Sequence, residues 1–236
     1  MNIRQTPFVQ SIVAARLAAG LLTSDQFRNA VLTLNAEEFP RFLRTYVEEG
    51  TPAAFYHAPI LWESVRDWLA NRLGVMARSI AIVGSAKTGF SYIPKKFGQP
   101  FSSNSDLDFS VVDRTFFDHA AGDARKFCSM VGGGLLSGRN DREKTFWIQN
   151  VKVISTSLMY GFVDTNKIPA MHDHFRIAAR ANNEASILVD RLKAMPQHEV
   201  RRASFRIFRS WDCFSARVRF NFGIIKAGLA NDSGES

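Results

Sequence analysis

The run SDLDFSVVD, residues 105–113, constrains this chain more than any other stretch. From Leu107 it alternates as a strand does, and its apolar members ask for burial. In a strand, residues i and i+2 point to the same side, so Asp106 and Asp108 face one spot. Two carboxylates that close repel each other, and Asp108 inside an apolar run is costly to bury unpaired. A cation at that spot removes both difficulties. Mg2+ (or Mn2+) suits it, being a hard ion that takes oxygen ligands and commonly shares them with substrate phosphates. The plainer alternative is a turn-capping Asp106 with Asp108 there by chance.

A second short apolar run, SIAIVGS (residues 79–85), lies just upstream and reads as a buried strand ending in Gly84-Ser85. Its continuation, GSAKTGFS, approaches a P-loop but puts Phe90 where that motif needs its lysine. After SDLDFSVVD, the stretch TFFDHAAGDARKFCSMVGGG reads as a helix capped by Thr115. TFWIQNVKVIST returns to strand character, and LMYGFVDT reads as one strand more. The first 75 residues read as core-facing helices: FVQSIVAARLA, then a segment capped at Thr23 or Ser24, then one capped by Asn35, then Pro59 to Gly74. NNEASILVDRLKAM and SFRIFRSWDCFSARVRF complete a helical C-terminal part, and the last residues read as a disordered tail. The expected class is α+β, with a helical segment at 1–75, a small mixed-sheet core at 76–168, a helical segment at 169–228 and a tail at 229–236.

With these runs in order, the chain resembles the polymerase-β-type nucleotidyltransferase superfamily. VGSAKTG followed by SDLDF matches its Gly-Ser turn and its pair of strand carboxylates, and the resemblance covers about a third of the chain, from Ser79 to Asp164. It implies a small mixed sheet with helices backing one face. It also implies Asp106 and Asp108 as ligands of Mg2+, and Gly84 and Ser85 as the grip on the phosphates of an NTP. A third acid activates the acceptor hydroxyl in that family. Asp164, at the end of its strand-like run, is the candidate here, its alternative being a turn or helix cap. Lys87 is a candidate for a phosphate or else a solvated loop lysine, and Ser105 is grouped with the nucleotide contacts. The loop FSYIPKKFGQPFSSN is longer than the family usually places between its two motifs; it either covers the site or is a surface excursion pinned by Phe97 and Phe101.

Composition limits the partners. Thirty Lys and Arg against 22 Asp and Glu give a formal charge of +8, which favours nucleotides, RNA or acidic protein surfaces. Read as one helix, RRASFRIFRSWDCFSARVRF carries an aromatic stripe with Arg202, Arg206, Arg209 and Arg217 on its other faces, fit for RNA, DNA or triphosphate or else simply solvated. No apolar run approaches the roughly 18–20 residues of a membrane span, and the N-terminus does not read as a signal peptide. Cys128 and Cys213, 85 positions apart, read as buried free thiols of a reducing cytoplasm. MHDHF, with His172 and His174, reads as a polar turn rather than a zinc site. The leading expectation is a cytoplasmic enzyme moving an NMP from an NTP to an RNA, protein, nucleotide or small-molecule hydroxyl. A nucleotide-binding sensor of the same build and a basic nucleic-acid-binding protein are the alternatives.

Overall fold

Strands β1 (Ile80–Val83), β2 (Asp106–Val112), β3 (Phe162–Asp164) and β4 (Arg202–Phe208) form a sheet in the order β1-β2-β4-β3. The computed structural model describes residues 11–15, 17, 20–169, 174–195 and 197–234. β2 runs antiparallel to β1 and parallel to β4, and β3 runs antiparallel to β4. The helices are α1 (Ile12–Ala15), α2 (Ser24–Thr33), α3 (Glu38–Leu43), α4 (Pro59–Leu73) and α5 (Ser85–Thr88). They continue with α6 (Arg114–Gly132), α7 (Asp141–Met159), α8 (Arg176–Lys193) and α9 (Trp211–Gly234). The class is mixed α+β, as expected.

Each sheet face has its own core. Leu107, Phe109 and Val111 of β2 join Ala203, Phe205 and Ile207 of β4 against α4, α6, α7 and α8, with Phe109 and Phe205 stacked at 5.2 Å. On the other face Ala81, Val112, Phe162 and Phe208 meet α2, α3 and α9. The resemblance implies helices on one face; here they cover both.

Several elements form where the sequence predicts them, and by the means it suggests. Thr23 closes a capping box with Gln26 at the start of α2. Pro59 opens α4, and Gly74 ends it in the left-handed conformation at φ 75°. α6 is capped two residues earlier than expected, by Asp113 accepting from the Phe116 N–H at 2.8 Å, rather than by Thr115.

Four expectations are corrected. TFWIQNVKVIST is not a strand: it lies in α7, capped by Asn140 and burying Trp147, Asn150, Ile154 and Ser157 at helical spacing. RRASFRIFRSWDCFSARVRF is not one helix. Its first part is β4, where Ala203, Phe205 and Ile207 alternate with Arg202, Ser204 and Arg206. Its second is α9, begun by the Ser210 side chain accepting from the Cys213 N–H. The sheet therefore draws a central strand from beyond residue 168. Nor is 229–236 wholly a disordered tail, because α9 runs to Gly234 and Leu229 is fully buried against the α2–α3 layer. The expected helix at FVQSIVAARLA, residues 8–18, is seen as α1 (Ile12–Ala15); residues 8–10, 16 and 18 lie outside the described residues.

The fit of Leu229 makes a test of the chain end. Leu229→Ala is expected to cost about 2–5 kcal/mol, read as a lower urea midpoint with unchanged m-value; a solvated tail would give no change.

Candidate functional site

The register of the parallel pair decides what stands beside the aspartates. Asp106 lies opposite Arg202, Asp108 opposite Ser204 and Ser110 opposite Arg206, all on the α9 face of the sheet. On the other side Val83 pairs with Asp108, so the chain leaves β1 beside that carboxylate. Gly84 makes the turn at φ 77° and ψ −159°. A Cβ there would lie 3.2 Å from Asp108 Oδ2, so both the conformation and the contact call for glycine. The Gly-Ser turn and the second aspartate therefore meet, as the sequence suggests.

They meet at the wall of a cavity of about 360 Å3 between sheet and α9, lined by Gly84, Ser85, Asp108, Ser110, Arg206 and Arg217 among others. α9 buries Phe214, Val218, Phe222, Ile225 and Leu229, which leaves Arg217, Asn221 and Ile224 on the adjacent stripe that lines the cavity. The long loop after α5 also reaches it. Tyr92 accepts from the Gly84 N–H at 3.0 Å and packs on Phe222 at 4.8 Å. Burial pushes the Tyr92 phenol up to about 12, with the nearby Asp108 charge adding to the rise. The loop is thus both pinned and part of the site; Phe97 rests near Phe90, while Lys95 and Lys96 stay exposed.

The two aspartates are held differently. Asp108 accepts from the Ser204 hydroxyl at 2.8 Å. Asp106 is clamped by Arg201, at 3.0 and 3.2 Å to its two oxygens, and by Arg202 at 2.7 Å. Partial burial pushes the Asp106 carboxyl up, but the hydrogen bonds and charges of the two arginines outweigh it and hold the group below the usual carboxylate range.

The remaining candidates lie elsewhere. Lys87 is buried, and its Nζ donates to the Glu49 and Gly50 carbonyls at the far end of the turn from Asp108. Burial pulls its pKa down to about 8. It is not a solvated loop lysine, and its ammonium is directed to these carbonyls. Ser105 closes a turn, its hydroxyl accepting from the Ser102 N–H at 3.0 Å. Asp164 caps the turn that follows β3, accepting from the Asn166 N–H, and pairs with Arg206 Nε at 3.6 Å. In register it faces Arg206, two strand spacings from β2, so it does not join Asp106 and Asp108. His172 lies outside the described residues, and His174 lies edge-on to Phe175. Cys128 and Cys213 are free but only half-buried.

Sequence reasoning missed Ser110, Tyr92, Ser204 and Asn221, and put Arg206 and Arg217 on one helix when they come from strand and helix. The available signal was the alternation of Arg202, Ser204 and Arg206 with buried residues. No protein-family model, curated protein or solved structure matches the chain. Among the described residues no helix is long and apolar enough to cross a membrane, and no group of three or more His, Cys, Asp or Glu could hold a metal.

The clamp predicts an acid dependence. Because the Asp106 pKa is lowered on folding, the pair stabilises the fold above the ordinary carboxylate pKa, and that contribution is lost as pH falls through the lowered value. Between about pH 5 and 2, Asp106→Asn is expected to flatten the fall of the urea midpoint; a variant with the wild-type slope would contradict the clamp.

Proposed function

We propose that the protein binds a nucleoside triphosphate in the cavity beneath Gly84-Ser85 and transfers its nucleotidyl group to an acceptor hydroxyl, releasing pyrophosphate. The observation that carries this reading is the close approach of the Gly84 turn to Asp108 in the wall of a cavity large enough for a nucleotide. The donor set also fits a divalent ion: two carboxylates two residues apart on one sheet face offer only oxygen. Arg201 and Arg202, whose side chains are 64% exposed, hold Asp106, and an ion bound there would have to displace them. Mg2+ bound there would supply charge stabilisation for the attacking and leaving oxygens.

The chain's own residues have separate tasks. Asp108 is oriented by Ser204, so its free oxygen faces the Gly84 turn. Ser85 offers its hydroxyl toward the phosphates, and the apolar side of the cavity, with Phe214 and Phe222, receives the less polar part of the ligand. In the transfer the acceptor oxygen bonds to the α-phosphorus as the α–β bridging bond breaks. β4 places Ser204 and arginines, not a carboxylate, beside β2, so the hydroxyl proton passes to solvent. That same feature favours a second reading, a protein that binds the nucleotide and does not turn it over.

Incubation with each α-labelled NTP, Mg2+, RNA and lysate tests both. Wild type is expected to label an acceptor, and Asp108→Asn, which keeps an acceptor for Ser204, to lose about 10²-fold or more. Mg2+-dependent NTP retention without label would select the second reading. A further expectation is that Gly84→Ala, strained at its φ and crowding Asp108, binds NTP at least about tenfold more weakly while remaining folded. Wild-type affinity in that variant would remove the turn from the site.

A further inference from the structure

Two arginines reach the cavity from different elements, Arg206 from β4 and Arg217 from α9. Like charges side by side in a partly buried place are unfavourable without an anion between them. Arg217 shows the strain of the place: burial, and then the Arg206 charge, pull it below the usual guanidinium range. Its guanidinium is nevertheless fixed, lying 5.2 Å from the ring centres of both Phe162 and Phe220. Its Nε is buried without a hydrogen-bond partner. Arg206 has Asp164 at 3.6 Å, a long contact that leaves its fork incompletely used.

A third group points the same way. Ser110 lines the cavity in register with Arg206, is 1% exposed, and its hydroxyl has no hydrogen-bond partner. A buried hydroxyl left unpaired costs stability, and alanine would serve the packing as well. A ligand oxygen accepting from Ser110 and from both guanidinium groups would satisfy all three. Lys87 cannot supply that charge, because its ammonium is committed to the Glu49 and Gly50 carbonyls.

We infer that Arg206, Arg217 and Ser110 form a polyphosphate-binding subsite inside the cavity, which takes the terminal phosphates of the ligand while Asp108 faces the reacting end. This deepens the nucleotide reading and rests on it for the identity of the ligand. The chemistry of the subsite itself, two guanidinium forks and a hydroxyl around an anion, does not depend on a divalent ion.

The test is calorimetric titration of the full chain with inorganic tripolyphosphate in EDTA, at two salt concentrations, alongside Mg2+ with ATP or GTP. Wild type is expected to bind tripolyphosphate. Arg206→Met and Arg217→Met, which keep the apolar stem, are each expected to weaken binding about tenfold or more. Should Arg217→Met lose its fold, Arg217→Lys retains the charge without the fork and is expected to bind more weakly than wild type. Ser110→Ala is the sharpest variant, with weaker binding expected at an unchanged or raised urea midpoint. Failure of wild type to bind tripolyphosphate overturns the subsite. So does wild-type affinity in folded Arg206→Met and Arg217→Met. Nucleotide binding that Asp108→Asn removes but the arginine variants leave intact overturns the subsite and keeps the nucleotide reading. Tripolyphosphate binding that needs the arginines, with nucleotides bound no more tightly, upholds the subsite and overturns the nucleotide reading.

Discussion

The parallel pairing of β2 with β4 is the contact on which the rest of this structure depends. It joins Asp108 to Ser204 across 96 residues of chain and does two things at once. On one face it stacks Phe109 on Phe205 and buries Leu107, Val111, Ala203 and Ile207, each large side chain worth about 1.5–3 kcal/mol when fully buried. On the other it sets two aspartates and a serine against two arginines and a serine. Because strand periodicity is two, apolar burial on the first face fixes which polar residues meet on the second. A slip of one residue would put Phe205 in the cavity and Arg206 in the core.

That coupling explains what was legible in the sequence. β1 and β2 stand out because each is a short apolar run with a distinct end, Gly-Ser in one and Asp-Leu-Asp in the other. α4 stands out through Pro59, Gly74 and a regular stripe. β4 was hidden because Phe205, Phe208, Trp211, Phe214 and Val218 recur at three- and four-residue intervals across two elements, and only Arg209-Ser210 separates them. Its strand character is set by a partner far away in the chain, which local periodicity does not report. α7 was hidden for the opposite reason: Ile148, Val151, Val153 and Ile154 are β-branched, yet Asn140 and the acids after it start a helix whose packing overrides propensity.

The candidate site divides in the same way. Gly84, Ser85 and Asp108 lie within or beside locally recognisable runs, and they come together. Lys87 points instead to the Glu49–Gly50 turn, whose carbonyls needed a donor. Asp164 stands apart from Asp106 and Asp108 because an aspartate ending a strand readily caps the turn that follows, and Arg206 holds it there. The cations that do reach the cavity come from the segment whose secondary structure was least legible.

The link between β4 and α9 gives that segment a single mechanical character. Only two residues separate Phe208, the end of the strand, from Trp211, the start of the helix, and Phe208 meets Phe214 edge-on at 5.2 Å. Arg206 and Arg217 are therefore placed by one strand–helix unit, while Gly84, Ser85, Asp108 and Ser110 belong to the β1–β2 unit. An anion bridging the two units would bind the folded arrangement and not its separated parts, so its binding free energy would add to the β2–β4 pairing. Conversely, any change that loosens α9 from the sheet would lower ligand affinity without touching a ligand contact. Asp106 and its arginine clamp stand at the start of β2, and Arg206 and Arg217 line the cavity between the sheet and α9. A ligand with a divalent ion near one end and free phosphate charge at the other matches that order of groups.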